Sequence, residues 1–162
     1  MKRRALLCCV GATLVLVASL QLRAAQESEA STVDLKNFKF KVDDNIANLF
    51  GHNEGEGKLF FYTNGAAEAT VKVPADADYD ITIKASCDSA LNERAKFKLA
   101  IDGKLVDKET LLTSDDAKDY KFTTKLKAGE RKLSIEFTND VYKENEYDRN
   151  LYVHGVTLKK AK

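Results

Sequence analysis

Tyr79-Asp-Ile-Thr-Ile-Lys-Ala-Ser-Cys87 puts Tyr79, Ile81, Ile83, Ala85 and Cys87 in one phase, with Asp80, Thr82, Lys84 and Ser86 between them. Successive side chains of an extended strand point to opposite faces of a sheet, so this segment has one face for a core and one for water. A helix would scatter the same apolar residues around its circumference. The pattern recurs on both sides. Ala69, Val71 and Val73 alternate with Thr70 and Lys72, and Phe97, Leu99 and Ile101 alternate with Lys96 and Lys98. Tyr120, Phe122 and Leu126 share one phase, and Leu133, Ile135 and Phe137 alternate with Lys132, Ser134 and Glu136. One dry and one wet face is the habit of antiparallel sheets.

The punctuation agrees. Asp102-Gly103, between the Phe97 strand and Leu105-Val106, is a hairpin signal. Pro74 to Asp78 and Ala128-Gly129 separate further strands. About 8–9 strands spaced by roughly ten residues specify an all-β chain, an antiparallel β-sandwich or jelly roll. The expected domain is 33–162, after a polar leader over 25–32, with no internal repeat or linker.

Residues 1–24 read as a signal peptide. Met1-Lys-Arg-Arg4 is basic, Ala5 to Leu20 carries no charge, and Leu22-Arg-Ala24 approximates a small-residue cleavage pattern. Cleavage near Ala24 implies a secreted, periplasmic or cell-surface protein; an uncleaved segment would be a membrane anchor. The 162-residue chain has 26 Lys+Arg against 25 Asp+Glu, but four of the basic residues precede Glu27. The portion after Ala24 therefore holds 22 basic and 25 acidic groups, about −3, which excludes a nucleic-acid partner held by phosphate neutralisation. Cys8 and Cys9 leave with the signal, so Cys87 has no disulfide partner and reads as a small buried residue.

Eight Phe, six Tyr and no Trp are present, and most of the Phe fall on buried phases. Stacking on exposed aromatic rings is therefore not expected to supply affinity for a sugar. His52 lies in the glycine-rich stretch Gly51 to Gly57, where a mobile turn is expected. His52 and His154 alone support neither a zinc site nor a Ser/His/Asp triad.

Chemistry concentrates in Asn139-Asp-Val-Tyr-Lys-Glu-Asn-Glu-Tyr-Asp-Arg-Asn150, between two strands. Asp140, Glu144, Glu146 and Asp148 alternate, with Asn139, Asn145 and Asn150 among them. Carboxylate, amide and backbone oxygens together suit a hard cation such as Ca²⁺. The EF-hand pattern is absent, because Asn145 stands where its glycine belongs and Leu151 where its glutamate belongs. Composition alone favours a solvated acidic turn over a cation site.

Wider context decides between these. Ile101-Asp-Gly-Lys-Leu-Val106, Tyr120-Lys-Phe-Thr123, Leu126-Lys-Ala-Gly-Glu130, Leu133-Ser-Ile-Glu-Phe-Thr-Asn-Asp140, Asp148-Arg-Asn-Leu-Tyr-Val153 and Val156 run in order. This series resembles the calcium-dependent xylan-binding carbohydrate-binding modules, from about Asn64 to Leu158. The resemblance implies a β-jelly roll that binds xylan or a related β-glycan through Ca²⁺, the ion being ligated by vicinal hydroxyls of the sugar. It implies Asp140 and Asp148 as carboxylate ligands, with backbone oxygens near Tyr142, Arg149 and Asn150. Asn139, Asp140, Asp148 and Asn150 would then contact the polysaccharide, with Asn139 orienting Asp140 or capping the turn. Selection by diol geometry suits a chain without Trp.

One departure concerns a second, structural calcium. Family members carry an acidic residue after Leu-Tyr-Val and acidic residues on the first strand; here these are His154 and a strand with only Asp34. The second ion is therefore expected to be absent or weak. The reading is a monomeric, non-enzymatic binding module. Its alternatives are an exported structural or adhesive sandwich that has lost sugar binding, and a small glycoside hydrolase using two carboxylates.

Overall fold

The computed structural model describes residues 30–162. Fourteen strand segments form among them: β1 Ser31–Val33, β2 Lys39–Lys41, β3 Phe50–Asn53, β4 Lys58–Phe61, β5 Gly65–Val73, β6 Ala77–Asp88, β7 Lys96–Ile101, β8 Lys104–Leu105, β9 Thr110–Leu111, β10 Lys118–Leu126, β11 Gly129–Phe137, β12 Tyr142–Lys143, β13 Tyr147–Asp148 and β14 Asn150–Lys160. The count exceeds the eight or nine expected because the extra segments are two to four residues long. Such segments are too short to display a period.

Two antiparallel sheets face each other. One runs β10-β6-β14-β4-β3 with β1 also on β14, and the other β2-β5-β11-β7-β8 with β9 also on β7. The alternation in the sequence becomes their inner faces: Tyr79, Ile81, Ile83, Ala85 and Cys87 are all buried on β6. Leu133, Ile135 and Phe137 of β11 come from the other side and are wholly buried. Phe97 of β7 meets Tyr120 and Phe122 of β10 edge-on at 5.9 and 6.0 Å, and Phe40 of β2 meets Phe61 of β4 at 5.3 Å. These aromatic pairs bind the two sheets together.

The turns follow their chemistry. Asp102 and Gly103 take φ of 50° and 77°, the two left-handed residues of a type I′ hairpin joining β7 to β8. Pro74–Asp78 and Ala128-Gly129 carry the chain from one sheet to the other, since β5 and β11 lie in one sheet and β6 and β10 in its partner.

Two expectations are corrected. The polar leader does not reach to Thr32: Ser31 and Thr32 pair with Leu158 and Thr157, drawn into register by the buried Val33 opposite Val156. His52 lies in no turn but on β3, opposite Leu59. The signal peptide lies outside the described residues, and so does the leader before Ala30.

Candidate functional site

β6 ends at Asp88, β11 ends at Phe137 and β14 begins at Asn150, so all three reach the same end of the sandwich. Between β11 and β14 the chain forms a small hairpin, with Tyr142 opposite Asp148 and Lys143 opposite Tyr147. Asn145, with φ of 61°, turns its tip, and Glu146 N donates to Lys143 O. Glu144 and Glu146 are spent at that exposed tip, where Glu146 pairs with Lys143 at 2.5 Å.

Asp140, Tyr142, Asp148 and Asn150 line one cleft of about 640 Å³, joined by Tyr62, Thr63, Tyr152 and Leu49 from elsewhere in the chain. Asp140 is held from two sides. Its Oδ2 accepts from Thr63 Oγ1 at 2.9 Å, and its backbone N donates to Asn64 Oδ1 at 2.8 Å. Asn150 is equally fixed: its Nδ2 donates to Asp148 Oδ2 and Asp88 Oδ2, both at 3.0 Å. Because the amide nitrogen must face those carboxylates, Asn150 Oδ1 is the acceptor end. Tyr152 Oη donates to the same Asp88 Oδ2 at 2.6 Å, and burial followed by that acidic partner pushes the phenol upward in pKa.

Two oxygens are left over. Asp140 Oδ1 and Asn150 Oδ1 are buried and have no hydrogen-bond partner among the described residues. Buried acceptors without donors are disfavoured unless something else satisfies them. Burial, with the nearby Asp148 charge reinforcing it, raises the Asp140 pKa, and the Thr63 hydrogen bond opposes the shift. Two carboxylates and an amide oxygen form the donor set of a hard divalent cation. No cluster of three or more His, Cys, Asp or Glu able to hold a metal occurs among the described residues. Asp140, Asp148 and Asn150 could therefore supply part of a calcium shell, and the remainder would come from backbone, water or ligand oxygens.

Asn139 and Arg149 go elsewhere. Asn139 Oδ1 accepts from Lys96 N at 2.6 Å and its Nδ2 donates to Arg94 O at 2.9 Å, so both ends of the amide are committed away from the cleft. The nearby edge of β7 offers Asn139 these backbone partners. Arg149 is 4% exposed, and its side chain is turned inward as well.

Aromatic rings also need correction. Tyr62 and Tyr142 are 41% and 64% exposed at the cleft, so stacking surfaces are present without any Trp. Tyr62 packs on Phe60 at 4.7 Å and meets Tyr152 edge-on at 6.3 Å. Phe60 in turn lies over Gly51, where a Cβ would stand 2.6 Å from its ring. Tyr62 and Thr63 follow the short strand β4, in a region whose sequence carries no motif.

His154 lies further along β14, at a register shift between Val153 and Gly155. Ser86 Oγ and its Nε2 share a hydrogen bond of 2.8 Å, and burial, then the charges of Lys58 and Lys84, lower its pKa. Asp34 caps a short 3-10 turn by accepting from Lys36 N.

The model of the family described as Ca-dependent carbohydrate-binding module, xylan-binding (CBM60) matches residues 80–162, just over half of the chain and inclusive of Asp140 and Asp148. The chain belongs to this family and is a carbohydrate-binding module. Among curated proteins no match is found. Solved structures agree on the fold. The CBM36-1 domain of a multidomain xylanase from the hindgut metagenome of Trinervitermes trinervoides has a TM-score of 0.60 at 13% identity, covering 83% of this chain and 99% of that one. A family 35 module from Clostridium thermocellum gives 0.54 at 12% identity over 82% and 99%. A CBM36 module in complex with calcium and xylotriose gives 0.53 at 16% identity over 78% and 97%.

Proposed function

We propose that this module binds xylan-type polysaccharide without catalysis, through a Ca²⁺ ion held by Asp140, Asp148 and Asn150 and by backbone oxygens near Tyr142 and Arg149. The observation that carries this reading is the pair of buried oxygens lacking donors, Asp140 Oδ1 and Asn150 Oδ1, in one cleft with Asp148. When bound, the ion would offer Lewis-acid positions that adjacent sugar hydroxyls can occupy in place of water.

The chain's own residues do the rest. Thr63 and Asn64 orient Asp140, and Asp88 with Tyr152 orients Asn150. Asp140 and Asp148 carry two negative charges, which nearly neutralise a divalent cation and leave a neutral diol able to compete with anions. Tyr62 and Tyr142 flank these groups and supply apolar faces for a pyranose ring. With few sugar atoms engaged, affinity is modest.

A single ion suffices in this reading. Lys58 and Lys84 act on His154, and Asp34 is committed to a turn, a setting that disfavours a second cation there. Export, with residues 1–24 removed, and a monomeric state complete the proposal. A screen of immobilised glycans with calcium and again with chelator tests it, alongside an assay for released reducing ends. Binding of β-xylan only with calcium, and no new reducing ends, is the expected result. Released ends would favour the hydrolase reading, for which a raised Asp140 beside Asp148 is the relevant feature.

A further inference from the structure

Arg149 is nearly completely buried, yet among the described residues no carboxylate lies closer to its guanidinium than Glu93 Oε2 at 3.5 Å. The guanidinium is taken up instead by backbone. Nε donates to Glu93 O at 3.1 Å, Nη2 to Ala90 O at 2.6 Å and Nη1 to Asn139 O at 2.5 Å. The Arg149 backbone N adds a bond to Val141 O at 3.0 Å. Asn139 and Arg149 are the immediate neighbours of Asp140 and Asp148 in the chain. One side chain therefore fixes the backbone beside both carboxylates.

The anchor it uses is itself firm. Ala90 and Glu93 exchange backbone hydrogen bonds at 3.0 Å around Leu91 and Asn92, with φ of 53° and 60°, a tight left-handed turn. Asn139 ties the same loop to Arg94 and Lys96. Two like charges on a short hairpin repel when no cation lies between them, and a loose loop would separate them. The Arg149 clamp opposes that separation.

Resting on the proposed calcium reading, we infer that Arg149 is the positioning residue of the site: it holds Asp140 and Asp148 in their binding arrangement before any cation arrives. The three carbonyls are met by three separate nitrogens of a rigid planar fork, whereas lysine would offer its donors from a single nitrogen and is a poor replacement.

The test uses the mature chain and the variant Arg149→Lys, with calcium titrations and amide hydrogen exchange in chelator. In metal-free wild type the Arg149 and Asp140 amides are expected to be protected. In the variant they exchange at least tenfold faster, while amides of β6 and β11 keep their protection. Calcium dissociation constants should rise at least tenfold in Arg149→Lys, and xylan affinity should return to within about threefold once calcium saturates the variant. Asp148→Asn, by contrast, should not be rescued by excess calcium. Unprotected loop amides in metal-free wild type would overturn the inference, as would a variant with unchanged exchange and calcium affinity. If Arg149→Lys fails to fold, the wild-type exchange in chelator decides alone. If wild type binds no calcium, the calcium reading falls, and the exchange measurement still decides whether Arg149 orders the loop.

Discussion

Thr63 donates its hydroxyl hydrogen to Asp140 Oδ2 at 2.9 Å across 77 residues of sequence, joining the loop after β4 to the carboxylate at the base of the cleft. The bond leaves Asp140 Oδ1 as the free oxygen. It also favours the ionised carboxylate against the effect of burial. Thr63→Val keeps the shape and removes the donor. Stability should fall by about 1 kcal/mol. Calcium affinity measured by titration calorimetry should fall several-fold, with a larger deficit in acid than at neutrality.

Opposed pH effects are expected from two groups. The Asp140 pKa is raised by folding, so in metal-free protein its contribution to stability is present below the unfolded value of about 4 and is lost as pH rises through the raised value. Calcium competes with that proton, so the calcium-induced rise in melting temperature should shrink as pH falls toward the raised Asp140 value. The His154 pKa is lowered, so its contribution is present above about 6.5 and is lost as pH falls through the lowered value. His154→Gln, which can keep the Ser86 bond, should flatten the acid-side loss of stability in chelator, as read by thermal melts.

The rings at the cleft should matter for polysaccharide and little for metal. Tyr62→Ala and Tyr142→Ala each remove an exposed face beside Asp140 and Asp148. A loss of roughly 1 kcal/mol or more, about fivefold or greater in xylan affinity, is expected for each. Calcium affinity should stay within about twofold of wild type. Gly51→Ala should mimic Tyr62→Ala in part, since the new methyl would displace Phe60, on which Tyr62 rests.

Calcium itself should stabilise the fold. At about 100 times its dissociation constant, a ligand selective for the native state adds roughly 2.7 kcal/mol. At about 2–4 °C per kcal/mol for a domain of this size, the melting point should rise by roughly 5–10 °C over chelator. Asp148→Asn should abolish most of that rise. An unchanged rise would locate the ion elsewhere.

Legibility in the sequence followed physical range. The alternation of Tyr79 to Cys87 and of Leu133 to Phe137 announced buried faces because each side chain's burial depends on its own strand's phase. β9 was invisible, as two residues cannot show a period, whereas β8, equally short, was marked by the Asp102-Gly103 turn before it. Asp140 and Asp148 were readable as a pair because one short hairpin brings them together. Thr63, Asp88 and Tyr152 join them only through the sheet topology, and no local motif marks them. The side chains of Asn139 and Arg149 answer to Ala90 through Lys96, more than 40 residues earlier, a tie that no local motif announces. Tyr62 shows the same lesson for aromatic faces, since the absence of Trp says nothing about where a tyrosine surfaces.

The central claim is that a cation bound by this cleft is the surface on which the sugar rests. Calorimetric titration of the mature module with a xylo-oligosaccharide, in calcium and then in excess chelator, addresses it directly. Measurable affinity with calcium, its loss in chelator and its recovery on adding calcium back are the predicted results. Equal affinity in both solutions would contradict the claim.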